Sequence, residues 1–265
     1  MDGWRDSRVD SADTAGSLGS WPVHRVHDTL TDARRAPGAL FPDASSGIVF
    51  EQVDSDNVNI GELHTTEFPF VARAVERRQQ EFAAGRVCAR RALARLGIPT
   101  VALPVRPDRQ PMWPDGVIGS IAHTMGYCGA AVATRASVAG IGFDVEPASA
   151  LPDEVWQSVL TDEERRRLAV RSEPDRGIHA RLLFSLKEAF YKCCQTAGGG
   201  WLDFHDIEIH LDPTSGDAPS HVYARKRIWD GTPPLSGRYA ITSHYIFTSF
   251  TMLHSVSAPA NSGSS

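Results

Sequence analysis

Residues 140–147 read Gly-Ile-Gly-Phe-Asp-Val-Glu-Pro, and residues 184–192 read Phe-Ser-Leu-Lys-Glu-Ala-Phe-Tyr-Lys. The first is an apolar run short enough for a strand, in which alternation puts Asp144 and Glu146 on one face near its end. The second lies in a strongly amphipathic stretch, Arg181 to Thr196, which reads as a helix closed by Gly198 to Gly200. A strand that ends in two carboxylates, followed by a helix that carries a third acid between two lysines, sets the frame for the chain around them.

Upstream, Thr66 to Leu96 forms a second helical pattern. Phe70, Val71, Ala74, Phe82, Val87, Ala89, Leu93 and Leu96 recur near helical spacing, Gly97 and Pro99 end the run, and Arg73, Arg77, Arg78, Arg86, Arg90 and Arg91 occupy the other face. After a proline-rich connection, ALPVRPDRQPMWPDG, the runs Gly126 to Thr134 and Val138 to Val145 flank a turn at Arg135 to Ser137 and read as a β-hairpin. Downstream, Thr161 with Glu164 is a capping-box signal for a short charged helix. Ile207 to Leu211, His221 to Ile228, Gly237 to Thr242 and Tyr245 to Leu253 read as short strands.

Helix followed by strands thus occurs on each side of about residue 140. The expectation is an α+β fold of two similar lobes, each a helix packed on a small, mainly antiparallel sheet, with the active site in the cleft between them. The lobes span 41–139 and 140–256, between tails at 1–40 and 257–265 whose polar, low-complexity composition favours disorder.

The chain has 265 residues, 42% of them hydrophobic, which is enough for a substantial core, and its formal net charge is -5. With a pI near 6.0 it lacks the basic face that a nucleic-acid binder needs, so an anionic ligand must meet a local cluster of Arg and Lys. Cys88, Cys128, Cys193 and Cys194 show no CxxC spacing and read as reduced thiols. No apolar run reaches the roughly 20 residues that span a bilayer, and the N-terminus has no apolar signal core. A cytoplasmic protein without membrane or nucleic-acid partners is expected.

Two carboxylates on one strand face, beside glycines that leave room for a phosphate, suit a hard cation such as Mg²⁺. An isolated pair of this kind is usually an acidic strand end in water, and Glu188 with Lys192 alone is an ordinary solvated helix pair worth about 0.3–0.5 kcal/mol. Their succession is more specific. Lys187, about 100° around the helix from Glu188, is placed to approach the same ligand from the side.

GIGFDVEP followed by FSLKEAFYK resembles the paired signature of the 4′-phosphopantetheinyl transferases of the single-chain, two-lobed surfactin and enterobactin type. RRQQEFAAGRVCARRAL, RQPMWPDG and GSIAHTMGYCGAAVA are similar to that family's coenzyme A-binding elements, in the same order. The resemblance covers roughly residues 65 to 200. It implies transfer of the phosphopantetheine arm of coenzyme A to a serine of an apo acyl or peptidyl carrier protein, releasing adenosine 3′,5′-bisphosphate. It further implies Asp144, Glu146 and Glu188 as ligands of Mg²⁺, with Mn²⁺ as a substitute, and Lys187 and Lys192 at the phosphates. Arg78, Arg86, Ser120 and His123 would surround the adenosine 3′-phosphate and neighbouring groups, and Arg106 or Arg109 would reach the nucleotide end. Glu188 would act as a direct base, as a ligand orienting a basic water, or as both. The family usually has a small apolar residue where Phe143 stands, and Trp is common where Phe184 stands.

A monomer is expected, because two lobes in one chain build the site. Three other readings compete: a different Mg²⁺-dependent phosphoryl transferase, a non-catalytic coenzyme A-binding protein, and a docking protein that uses its Arg-rich helix. There is no GxxxxGK[ST] loop for the first, and retention of Asp144, Glu146, Glu188 and Lys192 argues against the second.

Overall fold

A computed structural model describes residues 39–41, 46–99, 101–173, 175–200, 202–211, 220–226 and 235–254. The disorder expected for 1–38 and 257–265 lies outside the described residues. Ala39 and Leu40, assigned to the tail, are docked instead: Leu40 is buried, and its carbonyl accepts from Ser249 Oγ at 2.6 Å.

In chain order the elements are β1 (Val49–Val53), α1 (Glu76–Arg95), β2 (Val117–Thr124), β3 (Tyr127–Thr134), β4 (Gly140–Pro147), α2 (Asp153–Val159), α3 (Asp162–Ala169), α4 (Asp175–Thr196), β5 (Ile207–Leu211), β6 (Ser220–Lys226), β7 (Leu235–Ile241) and β8 (Tyr245–Met252). They form two antiparallel sheets, β1-β3-β2 and β4-β8-β7-β6-β5. Each sheet carries one long helix, α1 on the first and α4 on the second, and their other faces meet.

Alternation along β3 shows why this layering follows. Cys128, Ala130 and Val132 pack with Ala83, Ala84 and Val87 of α1. Tyr127, Ala131 and Ala133 point the other way, into a core shared with Ile141, Phe143, Val145 and Phe247 of the second sheet. Behind that sheet a third core joins Leu182, Leu186, Ala189, Phe190 and Cys193 of α4 to Ile207, Ile209, Ile246 and Phe250.

The expected hairpin of 126–134 with 138–145 does not form. β3 pairs with β2 through a turn at Met125 and Gly126, whose φ of 72° suits glycine, while β4 pairs with β8. Residues 135–139 cross from one sheet to the other, and Ala139 N already donates to Met252 O at 2.8 Å. Two adjacent apolar runs cannot reveal that they bury their faces against different neighbours. The first long helix also begins later than Thr66, at Glu76. Glu67 is fully buried and accepts from His64 N, Leu103 N and Arg90, which holds this segment as a separate turn, and Pro69 lies in the 3-10 turn Phe68–Phe70. α4, conversely, starts at Asp175, six residues ahead of the expected Arg181. The Thr161–Glu164 capping box is present, with Glu164 N donating to Thr161 Oγ1 at 3.2 Å and Thr161 N to Glu164 Oε2 at 2.9 Å. All four cysteines are buried free thiols, and among the described residues no helix is long and apolar enough to cross a membrane.

One contact sets how α4 lies on its sheet. A Cβ added to Gly142 would stand 1.9 Å from the Ala189 carbonyl oxygen, and one on Gly140 would stand 2.7 Å from that of Cys193. Backbone on backbone leaves no flexible group to yield. Gly142→Ala is therefore expected to cost about 3 kcal/mol or more, through forced separation of β4 and α4, and urea denaturation would measure the loss.

Candidate active site

The face of β4 that carries Gly140 and Gly142 continues, by the same alternation, to Asp144 and Glu146. α4 lies along it and presents Arg181, Ser185, Glu188 and Lys192, a polar stripe at helical spacing. Asp144 is 6% exposed. Its Oδ1 accepts from Lys192 Nζ at 2.7 Å, and its Oδ2 from Ser185 Oγ at 2.8 Å. Ser185 is tied in turn to Thr248 Oγ1 on β8 at 2.9 Å. Lys192 also donates to Phe143 O at 3.3 Å, and Arg181 Nη1 donates to Glu146 Oε2 at 3.0 Å.

Charge in this cluster is unevenly matched. Burial, reinforced by the Asp144 carboxylate, pushes Glu146 up to about 7 despite Arg181. Burial also raises Glu188, against the pull of Lys192. Glu188 has no hydrogen-bond partner among the described residues. Burial works against the Lys192 charge, but Asp144, Glu188 and Glu146 together outweigh it and hold its pKa above the ordinary lysine value.

Across the seam, on α1, Arg78 Nη1 donates to His123 Nε2 at 2.9 Å, and Glu81 Oε2 lies 3.7 Å from His123 Nδ1. Burial lowers the His123 pKa, and the field at its ring includes Lys192 and Asp144. This group therefore adjoins the acidic cluster of the other sheet.

Three residues expected at the ligand are engaged within the protein itself. Lys187 is fully buried on another side of α4, where its Nζ pairs with Glu164 Oε2 at 2.7 Å and donates to the carbonyls of Val159 and Phe204, each at 2.9 Å. Those three acceptors use all its protons, so it braces α4 and does not reach the Asp144 cluster. Ser120 is 5% exposed, and its hydroxyl bridges to Phe143 of β4, accepting from the amide at 3.0 Å and donating to the carbonyl at 3.3 Å. Arg86 is likewise 5% exposed; its Nε donates to Leu103 O at 2.6 Å, and its guanidinium lies over the Phe82 ring. Burial lowers its pKa to about 10. Arg106 and Arg109 sit exposed on a turn between β-bridged residues Val105 and Pro111.

The reading of sequence missed Arg181, Ser185 and Glu81. The i, i+4, i+7, i+11 stripe from Arg181 to Lys192 was the signal for the first two, since polar groups at that spacing on an otherwise buried helix share one face. Phe143, the departure from the family's small residue, fills space beneath Gly129 against Phe50 and Phe41. Phe184, in the position where Trp is common, pairs with Phe204.

The oxygen donors of Asp144, Glu146 and Glu188 have the chemistry of a hard-cation site, and their unneutralised charge would be relieved by one. Among the described residues no three His, Cys, Asp or Glu side chains stand close enough to hold a metal ion as arranged; Lys192 and Arg181 engage Asp144 and Glu146.

Residues 66–133 match the 4′-phosphopantetheinyl transferase N-terminal domain, and residues 140–242 the 4′-phosphopantetheinyl transferase superfamily. The chain is 40% identical over 232 residues to 4′-phosphopantetheinyl transferase Svp of Streptomyces mobaraensis, an alignment covering 84% of this chain and 89% of that one. It belongs to the 4′-phosphopantetheinyl transferase family. The transferase is also similar to Npt of Nocardia iowensis, at 37% identity over 70% of this chain and 87% of the relative. To PptT of Mycobacterium tuberculosis (strain ATCC 25618 / H37Rv) it is 32% identical over 82% of this chain and 95% of the relative.

Two measurements probe the transferase's site. Lys187→Met orphans a buried Glu164 carboxylate and is expected to cost about 3–5 kcal/mol in chemical denaturation, part of which Glu164→Gln added to it should restore. For Glu146, the folded protein retains a proton between about pH 4.5 and 7 that the unfolded chain releases, so its contribution to stability falls as pH rises through that window. Up to about 3 kcal/mol should be lost by pH 8, and Glu146→Gln should flatten the difference between urea midpoints at pH 5 and pH 8.

Proposed function

We propose that this transferase moves the 4′-phosphopantetheine arm of coenzyme A onto a serine of an apo acyl or peptidyl carrier protein, and that the Asp144–Glu146–Glu188–Lys192 cluster is where it does so. One observation carries the assignment: the glycine-permitted contact of β4 with α4 brings these four groups together, with Glu188 unbonded and raised in pKa by burial. A carboxylate so raised is a better proton acceptor than one in water.

In the reaction the serine Oγ attacks the β-phosphorus of coenzyme A. The new O–P bond forms as the bond to the oxygen bridging the two phosphates breaks, and adenosine 3′,5′-bisphosphate leaves. Glu188 takes the serine proton. Lys192, held positive by its three carboxylate neighbours, faces the charge that develops on the departing phosphate. Asp144, Glu146 and Glu188 would hold Mg²⁺, or Mn²⁺ in its place, which supplies Lewis-acid stabilisation of the pyrophosphate. Lys192 and Arg181, which pair with Asp144 and Glu146, would supply positive charge beside the phosphates. His123 and Arg78 serve the nucleotide side on the lobe of residues 41–139, and the metal and α4 belong to that of 140–256. The protein acts as a cytoplasmic monomer, without nucleic-acid or membrane partners.

Intact-mass analysis of an apo carrier protein incubated with the enzyme, coenzyme A and Mg²⁺ should show the gain of one phosphopantetheine arm. Asp144→Ala and Glu188→Gln should each slow the gain by at least about 100-fold, and chelation of the metal should stop it. Unchanged rates in both variants would move the chemistry elsewhere in the molecule.

A further inference from the structure

Along β8, alternation puts Ile246, Thr248 and Phe250 on one face, and all three are fully buried. Ile246 and Phe250 belong to the apolar core that this face shares with α4. A valine would fill the space of Thr248, so a hydroxyl there costs stability unless it is hydrogen-bonded. α4 brings a second buried hydroxyl to it, that of Ser185, whose helical neighbours Leu182, Leu186 and Ala189 lie in the same core.

The two hydroxyls form a run that ends on one carboxylate. Asp144 and Thr248 stand opposite each other in the pairing of β4 with β8, which places their side chains on the same face. Thr248 Oγ1 lies 2.9 Å from Ser185 Oγ and donates to Ser185 O at 3.0 Å, and Ser185 Oγ donates to Asp144 Oδ2 at 2.8 Å. Counting protons gives the direction. An ionised carboxylate only accepts, so the single Ser185 hydroxyl hydrogen goes to Oδ2, and the single Thr248 hydrogen goes to Ser185.

Lys192 completes the arrangement from the other oxygen, with Nζ 2.7 Å from Asp144 Oδ1. The terminal torsion of an aspartate has a broad energy well, so Lys192 alone would leave the carboxylate plane free to turn. Two donors on two different oxygens fix that plane. Oδ2 is then committed to Ser185, and Oδ1 is the oxygen on the side of Lys192.

We infer that Thr248 and Ser185 are positioning residues, which lock the plane of the Asp144 carboxylate so that Oδ1 is the oxygen offered, with Glu146 and Glu188, to a bound cation. They act through Asp144 and touch no reacting atom. This rests on the reading of Asp144 as a ligand of Mg²⁺ or Mn²⁺ given above.

The test titrates Mn²⁺ by the electron paramagnetic resonance of the free ion, with and without coenzyme A, and follows transfer rates at subsaturating Mn²⁺. It uses wild type, Asp144→Ala, Ser185→Ala, Thr248→Val, Thr248→Ser and the Ser185→Ala/Thr248→Val pair. Ser185→Ala should weaken Mn²⁺ binding about tenfold and Thr248→Val about threefold, with Thr248→Ser within about twofold of wild type. Transfer rates should fall in the same order. Adding Thr248→Val to Ser185→Ala should cost nothing more, because Thr248 acts through Ser185. Thr248→Val keeps the volume of the core, so it carries the test if Ser185→Ala fails to fold. Unchanged Mn²⁺ affinity in Thr248→Val and Ser185→Ala, a loss in Thr248→Ser as large as that in Thr248→Val, or a full additional loss in the double variant would each overturn the inference. Mn²⁺ bound equally by wild type and Asp144→Ala would sink the metal reading by itself, and the order of the transfer rates would still decide whether the two hydroxyls serve Asp144.

Discussion

The contact of α4 with β4 at Gly142 is the constraint on which the rest of the site depends. With a side chain at that position the helix could not lie where it does, and Asp144 and Glu146 would face a helix too distant to offer Ser185, Glu188 and Lys192. The strand's two-residue period links the two facts: glycines make the near end of one face, carboxylates the far end. Closeness at one end becomes a cluster of charged side chains at the other.

Burying this much charge needs support, and the protein supplies it in layers away from the cluster. Lys187 and Glu164 form a closed unit in which Glu164 also accepts from Thr161 N and, through Oε1, from Ile209 N at 3.0 Å. One ion pair thus ties α3, α4 and β5 together. In the other lobe Glu67 does similar work, holding Arg90, His64 N and Leu103 N at once. Both units are fully hydrogen-bonded, the condition under which buried charge is tolerated. The acidic cluster is the exception. Glu188 is half-buried with no hydrogen-bond partner among the described residues, an imbalance that supports its proposed place at a ligand.

Between the lobes, polar ties supplement the apolar core that the two sheets share. Ser120 bonds Phe143, Gln110 bonds Gln195 of α4, and Arg135 Nη1 donates to Thr196 O at 3.2 Å. The apolar core between the sheets holds them face to face, and these bonds fix their register around the cleft.

Local pattern was sufficient wherever periodicity and chemistry coincide in one segment. The two-lobed α+β plan, the amphipathic character of α4, the capping box at Thr161 and the carboxylates of β4 were all legible, because spacing along a strand or helix determines which groups share a face. Tertiary structure alone decided the rest. Lys187 and Glu188 are neighbours in sequence, yet one serves a buried brace and the other an open cluster, since Glu164 comes from a different helix. Arg86, Ser120 and the partner of β3 turned on the same fact: a side chain's role depends on which distant surface its face is buried against, and that choice is made by packing of the whole chain.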